Sequence, residues 1–432
     1  MYRFKGLFKG IVLYGIVVAI LISLRIASCC VPTDRIIENQ EPLIETFGYR
    51  GVLPGVPMGE YGIKVDFWTE SYYINNACVV DNSRPVYEAF HNTVVGIGKD
   101  PLERLINSIT GGANFETIGR PQYWWGAQVI IRPLLYFMNY EEAATLWQMI
   151  FGLVFSVFIA SVYRRFPRHI FAAVLLGLLS VNLISVSMIF HTSFVWVIAF
   201  GMSLFLMNTK ADYARVFMLG GMLTAFFDWM STPIVTFLLP IIFLLYSVFN
   251  EKEKKLTETV ISFVKAGVIW ALSYGGMHVI RWGLGSLVLR DNVFKMGAER
   301  VSQHGTMSDE GFFATVLNDI KLCTQQLSFN VLIPGGQDAK QYWLIVMMLV
   351  ALIMAVGVAL IYRKRSLGVF FSVIAFCPIV WIMVFRGWIS VHYWFAYRML
   401  GVSIVLVILS LCDTFHHIWK GWRYAKHNKM VR

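Results

Sequence analysis

Long apolar runs recur along the whole chain, and the longest match the roughly 20 residues that an α-helix needs to cross a bilayer. Three of them are 7–26, 143–163 and 341–361. Because 57% of the residues are hydrophobic and only 15% are charged, the sequence is more apolar than a water-soluble fold requires. The runs are continuous rather than alternating, which favours helices over a transmembrane barrel. We therefore predict an all-α polytopic membrane protein.

The apolar runs predict about ten transmembrane helices, with both termini on the cytoplasmic side of the plasma (inner) membrane. Lys and Arg gather in short segments between the runs, such as Arg164-Arg165 and Arg363-Lys364-Arg365, as is usual for cytoplasmic loops. This distribution accounts for the net charge of +11 and does not indicate a nucleic-acid-binding surface. The first run is too long for a cleaved signal peptide, so we interpret it as a signal-anchor. The predicted spans are 7–26, 143–163, 170–189, 192–207, 216–230, 231–249, 260–279, 341–361, 367–385 and 394–412.

These spans divide the chain into five parts. They are a signal-anchor helix (1–30), a first extracytoplasmic loop with interfacial helices (31–142), a transmembrane bundle (143–279), a second extracytoplasmic loop (280–340), and C-terminal helices with a basic cytoplasmic tail (341–432). Within the first loop we predict helices at 66–76, 85–95 and 100–109, followed by an interfacial or re-entrant helix at 127–138. The third of these begins at Asp100-Pro101 and ends at Gly111-Gly112, which are common signals of helix boundaries.

A pair of acids marks the first loop, in the stretch Asp66-Phe67-Trp68-Thr69-Glu70, which Tyr72 and Tyr73 follow. Asp66 and Glu70 lie one helical turn apart, so in a helix both carboxylates share a face. Two acids among aromatic side chains at a membrane surface suit a group that accepts a proton beside a sugar or a polar headgroup. We interpret Asp66 as a candidate general base that Glu70 supports. The alternative is that Asp66 caps a surface helix and that both carboxylates are solvated.

Two further polar sites lie at the predicted outer ends of spans. Asp228 is costly near apolar depth unless it faces a cavity or a partner, and it is equally suited to capping the next helix. The last outer turn, 386–398, crowds basic and aromatic side chains, including Arg386, His392, Tyr397 and Arg398. Because Arg398 falls just inside an apolar run, we expect it to bind an anionic group such as phosphate. The alternative is an aromatic belt with arginines that reach to the interface.

The second predicted loop is basic, which suits either a clamp on a lipid phosphate or a plain solvated loop. Its basic residues include Arg281, Arg290, Lys295 and Arg300. We interpret His191 and His278, near the outer surface, as structural residues. The six cysteines lack the spacing of a metal site, and no other cofactor signature is present. Pairing of Cys78 with Cys323 depends on whether the fold brings them together, and we favour free thiols.

The layout of a single span, a large outer loop with an early acid, many further spans and a second outer loop resembles the GT-C superfamily of integral-membrane glycosyltransferases. The closest resemblance is to the bacterial type that acts on surface polysaccharides. It rests on Asp66-Phe67-Trp68-Thr69-Glu70, on Tyr123-Trp124-Trp125-Gly126 with Arg132-Pro133, and on Phe227-Asp228-Trp229-Met230-Ser231-Thr232-Pro233. The stretch 392–398 is similar as well. The sequence departs from the family pattern at Trp125, where a histidine is expected.

This resemblance implies transfer of a sugar from a polyprenyl-phosphate or diphosphate donor to a glycan or lipid acceptor on the outer face of the membrane. It implies that Asp66 is the general base and that arginines hold the leaving phosphate, with Arg386 and Arg398 as candidates. A divalent metal is optional in such enzymes. The remaining predicted substrate-binding residues are Trp68, Tyr72, Arg120, Tyr123, Trp124, Trp125, Arg132, Asp228, Arg281, His392 and Tyr397. Two alternatives stay open: a flippase or transporter of a lipid-linked saccharide, and a non-catalytic subunit of a polysaccharide-assembly complex.

Overall fold

The computed structural model describes residues 2–51, 55–58, 61–111, 116–209, 212–229, 231–250, 256–306, 311–330, 342–362, 367–386 and 388–430. The predicted cytoplasmic cluster Arg363-Lys364-Arg365 lies outside these residues. Through the first 139 residues the helices are α1 (Tyr2–Cys29), α2 (Thr33–Gln40), α3 (Ile44–Arg50), α4 (Phe67–Val79), α5 (Pro85–His91), α6 (Pro101–Thr110) and α7 (Gln128–Phe137). The four short strands are β1 (Gly55–Met58), β2 (Tyr61–Lys64), β3 (Thr93–Val95) and β4 (Thr117–Gly119).

The rest of the described chain is helical. Its helices are α8 (Tyr140–Arg165), α9 (Arg168–Leu179), α10 (Leu183–Ser187), α11 (Phe190–Asn208), α12 (Tyr213–Phe227), α13 (Val235–Asn250), α14 (Leu256–Leu289), α15 (Val293–Thr306), α16 (Phe312–Asn330), α17 (Trp343–Tyr362), α18 (Leu367–Ile374), α19 (Cys377–Val384), α20 (Trp388–Ala396) and α21 (Leu400–Met430). Short 3₁₀ turns follow α2 and α20.

Seven stretches of the described chain are helical, long and apolar enough to cross a membrane. They are Phe8–Cys29, Tyr140–Arg165, Phe190–Asn208, Thr257–Leu289, Trp343–Ile361, Leu367–Val384 and Trp388–Lys420. The protein is therefore a predominantly α-helical polytopic membrane protein. The other three predicted spans correspond to α9, α12 and α13, which contain 12, 15 and 16 residues. At 1.5 Å per residue these helices measure about 18–24 Å, less than the ~30 Å hydrocarbon core, so a count of ten spans stays a prediction.

The segment between α1 and α8 contains strands as well as helices, whereas the sequence had predicted only helices there. Strands β1 and β2 pair as an antiparallel ladder, and β3 pairs with β4 in the same way. The helix predicted at 85–95 ends early, because Asn92 adopts a left-handed conformation (φ 53°) and the β-branched Thr93-Val94-Val95 continue as β3. Helix α6 begins and ends where the sequence predicted, with Asp100 as its N-cap and a left-handed Gly111 at its end.

The second predicted loop also differs from expectation. Helix α14 continues to Leu289, beyond the predicted end of the span at Val279, and most of the described residues after it form α15 and α16. Arg281 therefore lies within α14 rather than in a loop. Its guanidinium group is 1% exposed and donates hydrogen bonds to the backbone carbonyls of Ala89, Phe90 and Pro121, at 2.9, 2.7 and 3.0 Å.

A second buried arginine joins the polar segment to the bundle. Arg132 of α7 donates hydrogen bonds to carbonyl oxygens of Ser28, Val31 and Ala77 and to the Thr33 hydroxyl. These groups come from the end of α1, the turn after it, and α4. Arg132 and Arg281 therefore hold the polar segment 31–139 against the end of the bundle where α1 and α14 end. Helices α8 and α11 begin at this same end, since Tyr140 and Phe190 both contact Glu70 of α4.

Candidate functional site

The site is built around the start of α4. Asp66 is the N-cap of this helix: its Oδ1 accepts a hydrogen bond from the Thr69 N–H at 3.2 Å, and its Oδ2 accepts one from the Thr69 hydroxyl at 2.8 Å. Capping was the alternative role considered for Asp66, and the side chain does cap α4. It is not solvated, however, because Asp66 is fully buried.

Glu70, one turn further along α4, caps a different helix. Its carboxylate accepts hydrogen bonds from the backbone N–H groups of Phe190 (2.9 Å) and His191 (3.2 Å), the first two residues of α11. The N-cap residue of α11, Ile189, makes no side-chain cap bond itself. The Tyr140 hydroxyl also donates to Glu70, at 3.3 Å. Glu70 thus satisfies helix-terminal donors that would otherwise be unpaired in a buried position.

His191 lies between the two carboxylates. Its Nε2 is 3.3 Å from Asp66 Oδ2, and its Nδ1 is 3.9 Å from Glu70 Oε2. All three side chains are at most 1% exposed. The sequence had suggested only a structural role for His191, because no local pattern links a residue of a predicted outer turn to an acid pair more than a hundred positions earlier.

Burial dominates the electrostatics of the acid pair. Desolvation raises the pKa of Asp66 to about 6, although the hydrogen bonds from Thr69 and the charge of Arg398 act in the opposite direction. Desolvation likewise raises the pKa of Glu70 to about 7, against the two backbone hydrogen bonds from α11. Both carboxyl groups are therefore poised to exchange protons near neutral pH, as a general base requires.

A cavity of about 220 Å³ adjoins this cluster. His191 and Thr69 form part of its wall. Trp229 is at the centre of its aromatic side, with ring centroids 4.3 Å from Trp125, 4.6 Å from Tyr73 and 5.2 Å from Tyr123. The lining residues are Trp68, Thr69, Tyr72, Arg120, Tyr123, Trp125, His191, Trp229, Ser231, Arg300, Trp388, His392 and Phe395.

Two arginines add positive charge to the cavity wall. Arg120 precedes the Tyr123-Trp124-Trp125 stretch, and Arg300 belongs to α15. Burial lowers the pKa of Arg120, which lies 5.9 Å from the centre of the Tyr72 ring. Among the described residues, neither guanidinium group has a carboxylate within 4.0 Å. The described part of the cavity wall therefore places two positive charges beside aromatic faces.

Trp125 lies in the cavity wall with a strained backbone conformation. Its φ is +56°, a left-handed conformation that a bulky residue rarely adopts and that costs about 1–3 kcal/mol. The next residue must be glycine, because a Cβ on Gly126 would lie 2.2 Å from a ring carbon of Phe226. The Gly126 N–H donates to the Phe226 carbonyl at 2.9 Å, which fixes this turn against the end of α12. Strain of this kind is typical of positions that hold a functional side chain.

The structure brings six of the predicted substrate-binding residues to the cavity wall: Trp68, Tyr72, Arg120, Tyr123, Trp125 and His392. Asp66 and Glu70 lie directly behind that wall. The cavity also includes residues that were not singled out as site residues, namely Thr69, His191, Trp229, Ser231, Arg300, Trp388 and Phe395. Several of these belong to the motifs that carry the family resemblance. Their closeness in sequence to Asp228 or His392 was the signal that could have identified them.

The other predicted site residues lie away from the cavity wall. Arg132 and Arg281 are occupied by backbone carbonyls, as described above, and Trp124 is buried with its Nε1 donating to the Met277 carbonyl at 3.0 Å. Asp228 accepts hydrogen bonds from the N–H and the hydroxyl of Ser231, in the connection between α12 and α13. These contacts assign the four residues to the framework that holds the site.

Arg386, Tyr397 and Arg398 of the last outer turn also lie away from the cavity wall. Arg386 lies over the Phe312 ring, 4.5 Å from its centroid. The Tyr397 hydroxyl donates to the Val181 carbonyl at 3.3 Å. Arg398 is buried, donates to the Ser185 hydroxyl at 3.0 Å, and acts on Asp66 through its charge. Arg398 has an anionic neighbour, as its position in an apolar run suggested, but that neighbour is the Asp66 carboxylate.

No cluster of three or more His, Cys, Asp or Glu side chains that could hold a metal ion occurs among the described residues. All six cysteines, including Cys78 and Cys323, are free.

Comparisons with protein-family models, with curated proteins and with solved structures gave no match. The resemblance to GT-C glycosyltransferases therefore stays a prediction from the sequence. Inferences about function rest on the cavity and the groups around it.

Proposed function

We propose that the protein is a membrane glycosyltransferase that moves a sugar from a polyprenyl-phosphate-linked donor to a glycan or lipid acceptor. One observation carries the proposal. A single cavity combines aromatic rings, two arginines without a carboxylate partner in the described chain, and a hydroxyl group bonded to a buried carboxylate. These are the groups that such a reaction needs for the sugar, the phosphate and the acceptor proton.

The aromatic wall suits a sugar ring. Trp125, Trp229 and Tyr123 present apolar faces, while the indole N–H groups of the two tryptophans, which have no hydrogen-bond partner in the described chain, are available to sugar hydroxyl groups. A volume of about 220 Å³ is below the ~300–1,000 Å³ of typical ligand pockets. The cavity is therefore suited to a single sugar ring near a phosphate, with the lipid chain and the rest of the acceptor outside it.

Arg120 and Arg300 suit the phosphate of the donor. A guanidinium group can bind two phosphate oxygens at once, and such charge-assisted bonds strengthen as charge develops on the leaving group. The sequence suggested Arg386 and Arg398 for this role. The cavity favours Arg120 and Arg300 instead, because they are the arginines on its wall.

Thr69 links the acceptor to Asp66. The Thr69 hydroxyl lines the cavity and donates to Asp66 Oδ2 at 2.8 Å. As the acceptor oxygen attacks the anomeric carbon, its proton passes to Thr69 Oγ1 while the Thr69 proton passes to Asp66. The bond from the anomeric carbon to the phosphate oxygen breaks, and its electron pair leaves with the phosphate. A single displacement of this kind inverts the anomeric configuration.

The distribution of charge supports an outward-facing site. The cavity lies at the end of the bundle where α8 and α11 begin. Arg165 at the end of α8, Arg168 at the start of α9 and Arg215 in the first turn of α12 lie at the other end. By the positive-inside tendency, that basic end is cytoplasmic and the cavity opens on the outer face of the plasma membrane.

The proposal is tested with purified protein in liposomes, supplied with a defined set of polyprenyl-phosphate sugars and with glycan or lipid acceptors. Formation of a glycosylated acceptor is the expected result. Movement of the intact lipid-linked saccharide across the bilayer without transfer would identify a flippase instead. A protein that binds the donor, or only its assembly partners, but gives neither transfer nor movement would be a non-catalytic subunit.

Replacing Arg120 or Arg300 by Met is expected to lower kcat/KM for sugar transfer by about 10- to 100-fold, because each variant loses charge-assisted bonds of about 1.5–3 kcal/mol. Arg84→Met is the control, since Arg84 belongs to the same polar segment as Arg120 but is exposed and paired with Asp81. Initial rates at several donor concentrations check this. Values of kcat/KM equal to those of the control would remove the two arginines from the phosphate site.

A further inference from the structure

We infer that His191 is a proton-relay residue, which takes the acceptor's proton from Asp66 at Nε2 and releases a proton from Nδ1 to Glu70. This inference rests on the proposed function and extends it. It assigns a role to His191, and it makes Glu70 the final proton acceptor of the reaction rather than a support for Asp66.

The placement of the imidazole carries the inference. Its two nitrogens face two different carboxylates, at 3.3 Å from Asp66 Oδ2 and 3.9 Å from Glu70 Oε2. Neither nitrogen has a hydrogen-bond partner among the described residues, and catalytic contacts of this kind commonly shorten when substrate binds. A neutral imidazole has one N–H and one acceptor nitrogen, so it can accept a proton on one side while it releases another from the opposite side.

The relay conserves protons and returns to its starting state. Before reaction, His191 carries its proton on Nδ1, toward Glu70, and both carboxyl groups are ionised. Asp66 receives the acceptor's proton through Thr69 and passes it to Nε2, while Nδ1 gives its proton to Glu70. After the product leaves, the proton returns along the same path to water in the cavity, and the original tautomer is restored. No oxidant, reductant or metal takes part.

The surroundings let both carboxyl groups hold a proton. Burial raises the pKa of Glu70 to about 7 and that of Asp66 to about 6, so each can take up and release a proton near neutral pH. His191 is 1% exposed, where a charged side chain is costly, and Arg398 and His392 are the basic groups that act on it. Concerted passage through a neutral ring is therefore favoured. The other titratable groups around the cluster are the hydroxyls of Tyr140 and Tyr73 and, further off, the Asp228 carboxylate.

The competing interpretation is that Glu70 only caps α11. In Glu70→Gln, the glutamine carbonyl oxygen can accept from one of the two α11 N–H groups but cannot take a proton from His191. The pH profile and infrared spectrum of this variant, rather than its rate alone, therefore separate the two interpretations. The matched control is Glu88→Gln, which alters another buried glutamate of the polar segment, bonded to the Thr93 hydroxyl at 2.7 Å and away from the cavity wall.

The test is a double-variant cycle on transfer rates, with Glu70→Gln, His191→Gln and the combined variant in liposomes from pH 5 to 9. We expect each single change to lower kcat by about 10- to 100-fold with little change in KM, and the combined variant to lose no more than the worse single one, because the residues act as one unit. Losses that multiply, or an unchanged kcat and pH profile in Glu70→Gln, would overturn the relay.

An infrared measurement keeps the relay distinct from the proposed function. In the wild-type protein, the C=O stretch of a protonated carboxyl should titrate near pH 7, disappear in Glu70→Gln, persist in Glu88→Gln and shift its midpoint in His191→Gln. Transfer activity without this band would overturn the relay and leave the glycosyltransferase standing. If the band and its dependence on His191 are observed but no sugar is transferred, the proton-sharing cluster is present and the proposed function is refuted.

Discussion

Replacing Asp66 by Asn is expected to lower the rate of sugar transfer by about 10²–10⁴-fold while the protein stays folded. Asparagine is as good an N-cap as aspartate and can still accept from the Thr69 N–H, so α4 keeps its start. The amide cannot accept the proton that Thr69 delivers. The change therefore removes the base and little else.

The measurement is the initial rate of transfer in liposomes, together with thermal unfolding of the variant in detergent. Asp34→Asn is the control, because Asp34 is an exposed acid in the first turn of α2, in the same polar segment. The wild-type rate should rise with pH through about 6, as the buried Asp66 becomes ionised, and this limb should vanish in Asp66→Asn. A rate in Asp66→Asn equal to that of Asp34→Asn would remove Asp66 from the mechanism.

Replacing Arg281 by Met is expected to lower the free energy of unfolding by at least about 3 kcal/mol, since three buried carbonyl groups lose their donor at once. Arg281→Lys should recover only part of the loss, because an ammonium group lacks the planar fork that reaches Ala89, Phe90 and Pro121 together. The effect is on the framework, so the KM for the donor should be unchanged in molecules that remain folded.

Chemical denaturation in micelles measures this loss, and Arg84→Met is again the control, expected within about 0.5 kcal/mol of wild type because its side chain is exposed. An unchanged unfolding free energy together with a raised KM would return Arg281 to the substrate-binding role that the sequence suggested.

Local patterns predicted local structure well. Asp100-Pro101 and Gly111 mark the ends of α6, and Asp66 marks the start of α4, because caps and left-handed turns depend on only a few neighbouring residues. The β-branched Thr93-Val94-Val95 carried a strand signal that the predicted helix at 85–95 overlooked. Continuous apolar runs predicted the membrane helices for the same reason, since lipid imposes length and composition directly.

The assembly of the site was only partly accessible from the sequence. Six aromatic or basic residues of the quoted motifs do line one cavity, because those motifs lie at the ends of helices that meet there. His191 and Arg300 were not distinguishable from other polar residues of loops, since their significance comes from neighbours distant in sequence. Arg132 was taken as ligand-binding from the family resemblance and Arg281 from its place in a basic outer loop, whereas both bind backbone carbonyls, which no sequence pattern displays.

The buried arginines also bear on how the protein can be divided for study. Arg132 links α7 to the end of α1, and Arg281 links α14 to backbone on either side of β3 and β4. An excised hydrophilic fragment would leave the carbonyls of Ala89, Phe90 and Pro121 without their donor, and a trimmed bundle would leave the Arg281 guanidinium group without its acceptors. The border between water and lipid along this chain is therefore not a border between cooperative folding units.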